Sequence, residues 1–385
     1  MGWDSIGNFE LEAVNLDSKR DLGEVAAFLA NQGLRFGPDL DHTVVLRQSG
    51  AIVATGSFKG EVIRNVAVSP QLRGLNLTAI IVTALAREQT LRGLTHFFVF
   101  TKPDNVAPFK GLGFAEIARV MPWVVLLETG LGSMSDWLQE TARVLNHLPR
   151  PRAALVMNCD PFTKGHQALI RRAADENEAV VVFVVSEDSS TFPFADRFRL
   201  VKEEVKNLPN AIALPSGKYV ISQATFPNYF LKREEGAKAQ SQLDLTIFAD
   251  RIAPALELSH RYVGEEPHCP VTRAYNQAML EILPTRGVKV KMIPRIASRS
   301  QTVNASLVRA AWQANDWDTV SSLVPAHTLD YLRGFQSLQA PQASQSHQSP
   351  QSPQSRPAGQ TGLERSKCPA TKESPTIEGA SDGRR

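Results

Sequence analysis

Residues 153–166 read AALVMNCDPFTKGH, and this stretch decides the fold. Ala153–Met157 is an apolar run of strand length, a polar turn follows, and the pattern from Gly165 to Ala174 predicts a helix. A strand that turns directly into a helix start makes an anion site, because unpaired helix-start N–H groups and the macrodipole both favour negative charge. Thr163 and His166 are three apart and share one side of the first helical turn, and Gly165 between them lets a phosphate approach the backbone. An imidazole N–H there can donate to phosphate oxygens as charge develops on them. Read alone, His166 is far more often a surface histidine at a helix start, with a Gly-His pair marking a phosphate site about one time in ten. Its place after the first strand is what favours the phosphate reading. No Gly-Lys-Ser/Thr phosphate loop and no GxGxxG stands elsewhere in the chain to compete with it.

Outward from this turn the rhythm continues. Apolar strands are expected at Ala179–Ser186, Ala211–Leu214, Leu245–Ala249, Arg261–Val263 and Val288–Ile293, with helices at Ala195–Lys206 and Val271–Ile282. Alternating strands and helices predict an α/β fold with a doubly wound, Rossmann-like parallel sheet, whose ligands belong at the carboxyl ends of the strands. Upstream, residues 43–58 predict two strands around Gln48-Ser49-Gly50. Glu61–Val68, His96–Thr101 and Met121–Leu127 predict three more, and Leu77–Glu88 a helix. The expected layout is an α/β domain over 1–130, a connecting helix and linker over 131–150 (Ser135–His147 being the helix, stopped by Pro149 and Pro151), and the second domain over 151–335. From Gln336 to Ser355 sixteen of twenty residues are Gln, Ser or Pro, so 336–385 is expected to be a disordered tail.

Composition narrows the function. Lys and Arg number 42 against 39 Asp and Glu, a net charge of +3 that excludes a surface built for nucleic acid or anionic lipid. The longest apolar run, Ala179 to Val185, is far short of the ~20 residues that cross a bilayer, and residues 1–20 do not read as a secretory signal. Three cysteines without CxxC spacing give neither a zinc site nor a disulfide framework and fit the reducing cytoplasm.

Asn158–His166 (NCDPFTKGH) resembles the T/HxGH signature of the HIGH-type nucleotidyltransferase superfamily. That superfamily's second signature, Ile-Ser-x-Ser-x-x-Arg, is matched by VNASLVR at Val303–Arg309, about 140 residues downstream. The segments Ser186–Val201, Tyr219–Lys232 and Val263–Leu280 are similar to the citrate (pro-3S)-lyase ligase family, as is the order of a GNAT-like acetyltransferase-fold domain before a nucleotidyltransferase domain. The resemblance covers roughly residues 5–335. It implies activation of acetate with ATP and Mg²⁺, then acetylation of the thiol of a dephospho-CoA-derived group on the γ subunit of citrate lyase, its acyl carrier protein. AMP and pyrophosphate leave. It implies catalytic roles for His166 and Thr163, and ATP or phosphate contacts from Asn158, Phe162, Gly165, Asn304, Ser306 and Arg309.

The sequence departs from the family twice. Asn304 stands where the second signature has its first Ser. Gln71–Asn76 (QLRGLN) puts Asn76 where acetyltransferases keep a small residue against the CoA pyrophosphate, which argues against acetyl-CoA chemistry in the first domain. Arg73 in that loop is a candidate contact to the acceptor's phosphate or a plain surface arginine. Arg197, at the helix start after the second strand, is an acceptor contact or a solvent ion pair, and the sequence leaves those readings equal. Cys159 reads as a small packing residue, and Glu265, Glu266 and His268 lack ligand spacing for a metal. The rival functions are an adenylyltransferase making a CoA-type dinucleotide, an acetyl-CoA-dependent N-acetyltransferase, and a scaffold without activity.

Overall fold

The computed structural model describes residues 8–339 apart from Pro38, 187–189, 221–225, Asn228, 267–268, Ile296 and 299–300. Two sheets organise it. The first comprises β1 (Glu10–Ala13), β2 (His42–Gln48), β3 (Ala51–Lys59), β4 (Val62–Val68), β5 (His96–Thr101), β6 (Ala115–Val120) and β7 (Val124–Gly130), in the order β1-β2-β3-β4-β5-β7-β6. All neighbours are antiparallel except β4 and β5, which run parallel and pair only at Val62–Phe98 and Ile63–Val99. Past those pairs Val66–Val68 and Phe100–Lys102 line opposite walls of a wedge. This is the strand arrangement the resemblance implies for a GNAT-like domain.

Three helices accompany that sheet: α1 (Lys19–Asn31), α2 (Leu77–Leu91) and α3 (Val106–Lys110). Leu77, Ile81 and Leu85 of α2 are buried at helical spacing. The helix lies so close to β3 that a Cβ on Gly56 would stand 2.4 Å from Ile81 Cγ2, so glycine is required there.

The second sheet comprises β8 (Arg152–Met157), β9 (Val180–Val184), β10 (Ala211–Pro215), β11 (Leu258–Gly264) and β12 (Lys289–Ile293). Its order is β10-β9-β8-β11-β12 and every pair is parallel. The five residues of β9 are all buried, as an apolar run covered on both faces must be. Around the sheet lie α4 (Met134–Leu145), α5 (Lys164–Glu176), α6 (Phe194–Val205), α7 (Arg233–Ile247), α8 (Ala253–Ala255) and α9 (Pro270–Ile282). A short pair, β13 (Ala297–Ser298) and β14 (Gln301–Thr302), precedes α10 (Ala305–Gln313), α11 (Trp317–Leu323) and α12 (Ala326–Gln339). The first strand thus sits mid-sheet and the order reverses around it, so the turn after β8 opens at the topological switch point.

Two expectations need correction. Leu245–Ala249 is helical, not a strand: it closes α7 and enters a π-helical turn over Phe248–Ile252. The run is buried on every side, and a short all-buried apolar run carries no period to separate helix from strand. The last helix also runs to Gln339, past the residue 336 at which the tail is expected to begin. The remainder of that expected tail, 340–385, lies outside the described residues.

One core joins the two sheets. Phe98 and Phe100 of β5, Leu126 of β7, Met134 and Leu138 of α4, Ala154 and Val181 of the parallel sheet and Leu243 of α7 belong to a single buried cluster. The other face of the parallel sheet packs Leu155, Met157 and Val182 against Ile170 of α5 and Leu200 of α6. Among the described residues no helix is long and apolar enough to cross a membrane.

Candidate functional site

The turn after β8 delivers Thr163 as the N-cap of α5. Its Oγ1 accepts the His166 N–H at 3.3 Å, and the Thr163 N–H donates to His166 Nδ1 at 3.1 Å, a reciprocal capping box. Because Nδ1 accepts, the neutral ring carries its proton on Nε2, which leaves that N–H as the donor. Burial first, and the nearby Arg295 guanidinium second, hold His166 down at about 4, so the ring is uncharged at neutral pH. Thr163 is 1% exposed, and its hydrogen bonds go to orienting the histidine.

Phe162 is fully buried, and its ring stacks on His166 at 5.8 Å and lies 5.7 Å from His327, so its side chain supports the imidazole. Gly165 is explained by the protein itself. A Cβ there would lie 3.4 Å from Val303 O and 3.4 Å from Thr163 Oγ1, so the neighbour that comes close is the segment leading into α10.

The second signature meets the first across this contact. Asn304 caps α10, its Oδ1 accepting the Leu307 N–H at 2.7 Å. Asn and Ser are near-equivalent N-caps, which accounts for the departure from Ser at this position. Arg309 donates to Ser306 Oγ at 3.1 Å and to the Asp160 carbonyl, and lies 3.4 Å from the Asp160 carboxylate. Sequence reading passed over Asp160, although it stands inside the first signature. Its carboxylate accepts the Thr191 and Phe192 N–H groups at 3.1 and 2.9 Å, so one buried side chain ties the turn, the loop before α6 and Arg309 together. Lys164, next to the cap, donates to the Ser321 and Ser322 carbonyls at the end of α11 and fastens that helix over the site.

Arg197 is turned into the protein and away from solvent. It is 0% exposed, and its guanidinium donates to the carbonyls of Phe192, Asn158 and Val185 and to Asn158 Oδ1 at 2.9 Å. With its oxygen held from below, the Asn158 carboxamide turns its Nδ2 outward, where it donates to Ser190 Oγ at 3.0 Å. Cys159 is 1% exposed and burial pushes its thiol up, so it stays protonated beneath the turn. Glu266 pairs with Arg295, and among the described residues no three His, Cys, Asp or Glu side chains gather as a metal cluster; His268 lies outside them.

Arg73 lies apart from this constellation. It is exposed at the rim of a cavity of about 610 Å³ in the β4–β5 wedge of the first sheet. Tyr229 and Phe230, from the segment between β10 and α7, line the same cavity. Residues 221–225 of the similar segment Tyr219–Lys232 lie outside the described residues.

A mid-sheet first strand, a capped helix start at the switch point and a second signature folded onto it define a nucleotidyltransferase-type α/β protein. Residues 152–332 match the family model for the citrate lyase ligase C-terminal domain. A citrate (pro-3S)-lyase ligase from Klebsiella pneumoniae is 36% identical over 311 residues, covering 79% of this chain and 90% of the relative. One from Escherichia coli K12 is 33% identical over 334 residues, covering 85% and 95%. The chain belongs to the citrate (pro-3S)-lyase ligase family, a family of enzymes. Among solved structures, an N-acetyltransferase from Staphylococcus aureus is similar at 12% identity and TM-score 0.27, over 33% of this chain and 100% of that one. A GNAT-family acetyltransferase from Streptococcus pneumoniae matches at 12% and 0.27, over 32% and 99%.

Proposed function

We propose that this chain acetylates the thiol of the dephospho-CoA-derived prosthetic group on citrate lyase's acyl carrier protein, in the cytoplasm, with ATP and acetate. An acetate oxygen attacks the α-phosphorus and pyrophosphate leaves. The carrier thiolate then attacks the acyl carbon of the acetyl-adenylate and AMP leaves. The observation that carries this reading is the meeting of the two signatures at one strand end. The Val303 carbonyl lies against Gly165 in the first turn of α5, and Arg309, hydrogen-bonded to Ser306, is held on the Asp160 carbonyl of the first signature. In-line displacement at phosphorus needs donors for the leaving pyrophosphate more than it needs a protein nucleophile. In this reading His166 donates to the phosphates, Ser306 and Arg309 hold the β- and γ-phosphates, and Asn158 offers its outward Nδ2–H. Mg²⁺ arriving with ATP screens the phosphate charge. The buried, protonated Cys159 fits a mechanism without an enzyme thioester.

The test is pyrophosphate release from ATP and acetate, with and without deacetylated carrier. Acetate-dependent ATP–pyrophosphate exchange without carrier, and thioester on the carrier when it is added, are the expected results. Pyrophosphate released without acetate, on a phosphopantetheine acceptor, would overturn the reading in favour of dinucleotide synthesis.

A further inference from the structure

The carboxyl edge of the parallel sheet holds a guanidinium that neither signature contains. Arg295 follows β12. Its Nε donates to the Glu265 carbonyl at 2.6 Å, its Nη1 to the Val303 carbonyl at 3.3 Å, and its Nη2 pairs with the Glu266 carboxylate. Val303 O is the same atom that approaches Gly165, so the guanidinium reaches the first turn of α5 through one shared carbonyl. Glu266 is itself fixed, its other oxygen accepting the Cys269 N–H at 3.2 Å at the start of α9. Arg295 is therefore held by the end of β11 and by the segment entering α10, yet its side chain stays 23% exposed. Three of a guanidinium's five N–H donors are engaged by these partners among the described residues. The remaining two make a pre-set fork of the kind that binds phosphate oxygens well.

We propose that Arg295, set in place by Glu266, is a further substrate-binding residue of this site: a second guanidinium that meets the phosphates of the nucleotide alongside Arg309. The inference rests on the adenylation reading above. It also gives Arg295 a second effect, on the donor His166. Protonating His166 Nδ1 would turn one hydrogen against the Thr163 N–H and break the capping box, and a fixed positive charge nearby opposes that protonation. The charged and titratable groups arranged about the imidazole are Arg295 with Glu266 behind it, Arg309 with Asp160, Lys164 tied to α11, and His327 across the Phe162 ring.

The experiment uses the full chain and three variants: Arg295→Gln, Arg295→Lys and Glu266→Gln. Acetate-dependent ATP–pyrophosphate exchange gives KM for ATP, and NMR follows the His166 ring through its titration. Arg295→Gln is expected to raise KM for ATP about tenfold, the worth of one charge-assisted contact, and to move the His166 titration to higher pH. Glu266→Gln, which removes the opposing charge, is expected to move it to lower pH. Should Arg295→Gln fold poorly, Arg295→Lys keeps the charge without the fork, so its titration stays parental while its KM rises. The ring shifts report the Arg295 charge beside His166, and KM for ATP is what separates a phosphate contact from a merely structural arginine. A parental KM in both Arg295 variants overturns the proposal. Parent protein without exchange, but with the ring shifts intact, overturns instead the adenylation reading on which the phosphate role depends.

Discussion

His166 closes the capping box of α5 and, in the proposed reading, is also the phosphate donor, and the two uses agree only while the ring is neutral. Replacing it with Ala is expected to lower the exchange rate by about 10²–10³, since one transition-state donor is worth roughly 3–4 kcal/mol. Circular dichroism should show the fold kept; a near-parental rate would make His166 a bystander. The same residue predicts a pH dependence of stability. Its folded value, about 4, lies below the ordinary 6.5, so between those values the unfolded chain binds a proton that the native ring refuses. Stability is therefore whole above about pH 6.5 and is lost as pH falls toward 4. In His166→Ala that part of the loss is absent, so the stability gap between pH 7 and pH 5, measured by urea denaturation, should narrow. The T/HxGH pattern made Thr163 and His166 legible because their spacing is local. The burial of Arg197 and Phe162 was not legible in the sequence, because burial is a tertiary property. An arginine is seldom fully buried, and nothing in its own segment announces the carbonyls of Asn158 and Val185 that converge on it.

At the level of elements, legibility followed periodicity. The strands β2, β3, β5 and β8 and the helices α2, α5 and α9 stood where alternation or the 3.6-residue repeat placed them. The stretch Leu245–Ala249 had no period to read, and β1, with only Leu11 buried in its four residues, carried too short a pattern to see. By contrast α1 did have a signal, Ser18 capping onto the Asp21 N–H, which a search for S-x-x-D would have found. The second signature is an element-scale device too, a capped helix start. Asn304→Ser should leave the melting temperature nearly unchanged, whereas Asn304→Ala should cost about 1 kcal/mol, because the Leu307 N–H then lacks its acceptor. Equal losses for both would mean the carboxamide has a use that capping does not explain. The end of α12 sets where the tail can be cut. Deleting 340–385, a Gln-, Ser- and Pro-rich stretch, should change neither melting temperature nor exchange rate, and a drop of several degrees would show that it packs on the body.

Across the whole molecule the decisive feature is that the two sheets share a core. Phe98 and Phe100 pack in the same cluster as Val181 and Leu243, so excising the first sheet would expose apolar surface that folding buried, and tests of its role belong on the full chain. That role bears on whether the chain transfers acetyl from acetyl-CoA. Asn76 argued against it from sequence, and the structure adds a second reason. The wedge between β4 and β5 receives Tyr229 and Phe230; Phe226 packs edge-on against Phe100 at 5.6 Å, and Arg35 holds the segment through the Tyr229 and Leu231 carbonyls at 3.0 Å each. Asn65, buried in a left-handed conformation, donates its Nδ2–H to the carbonyl of the same Arg35 at 3.0 Å. The chain is therefore expected to give no steady acetyl transfer from labelled acetyl-CoA to a panel of amines. What remains open to solvent is the rim, where Arg73 stands beside the Leu77 end of α2. If the carrier's phosphate-bearing arm rests there, Arg73→Ala should raise KM for the carrier several-fold, with kcat and KM for ATP unchanged, since a rim cation removes ground-state binding alone. Catalytic turnover of acetyl-CoA would reverse the assignment of this domain, and an unmoved carrier KM would leave Arg73 a surface residue and the first sheet a support for the second.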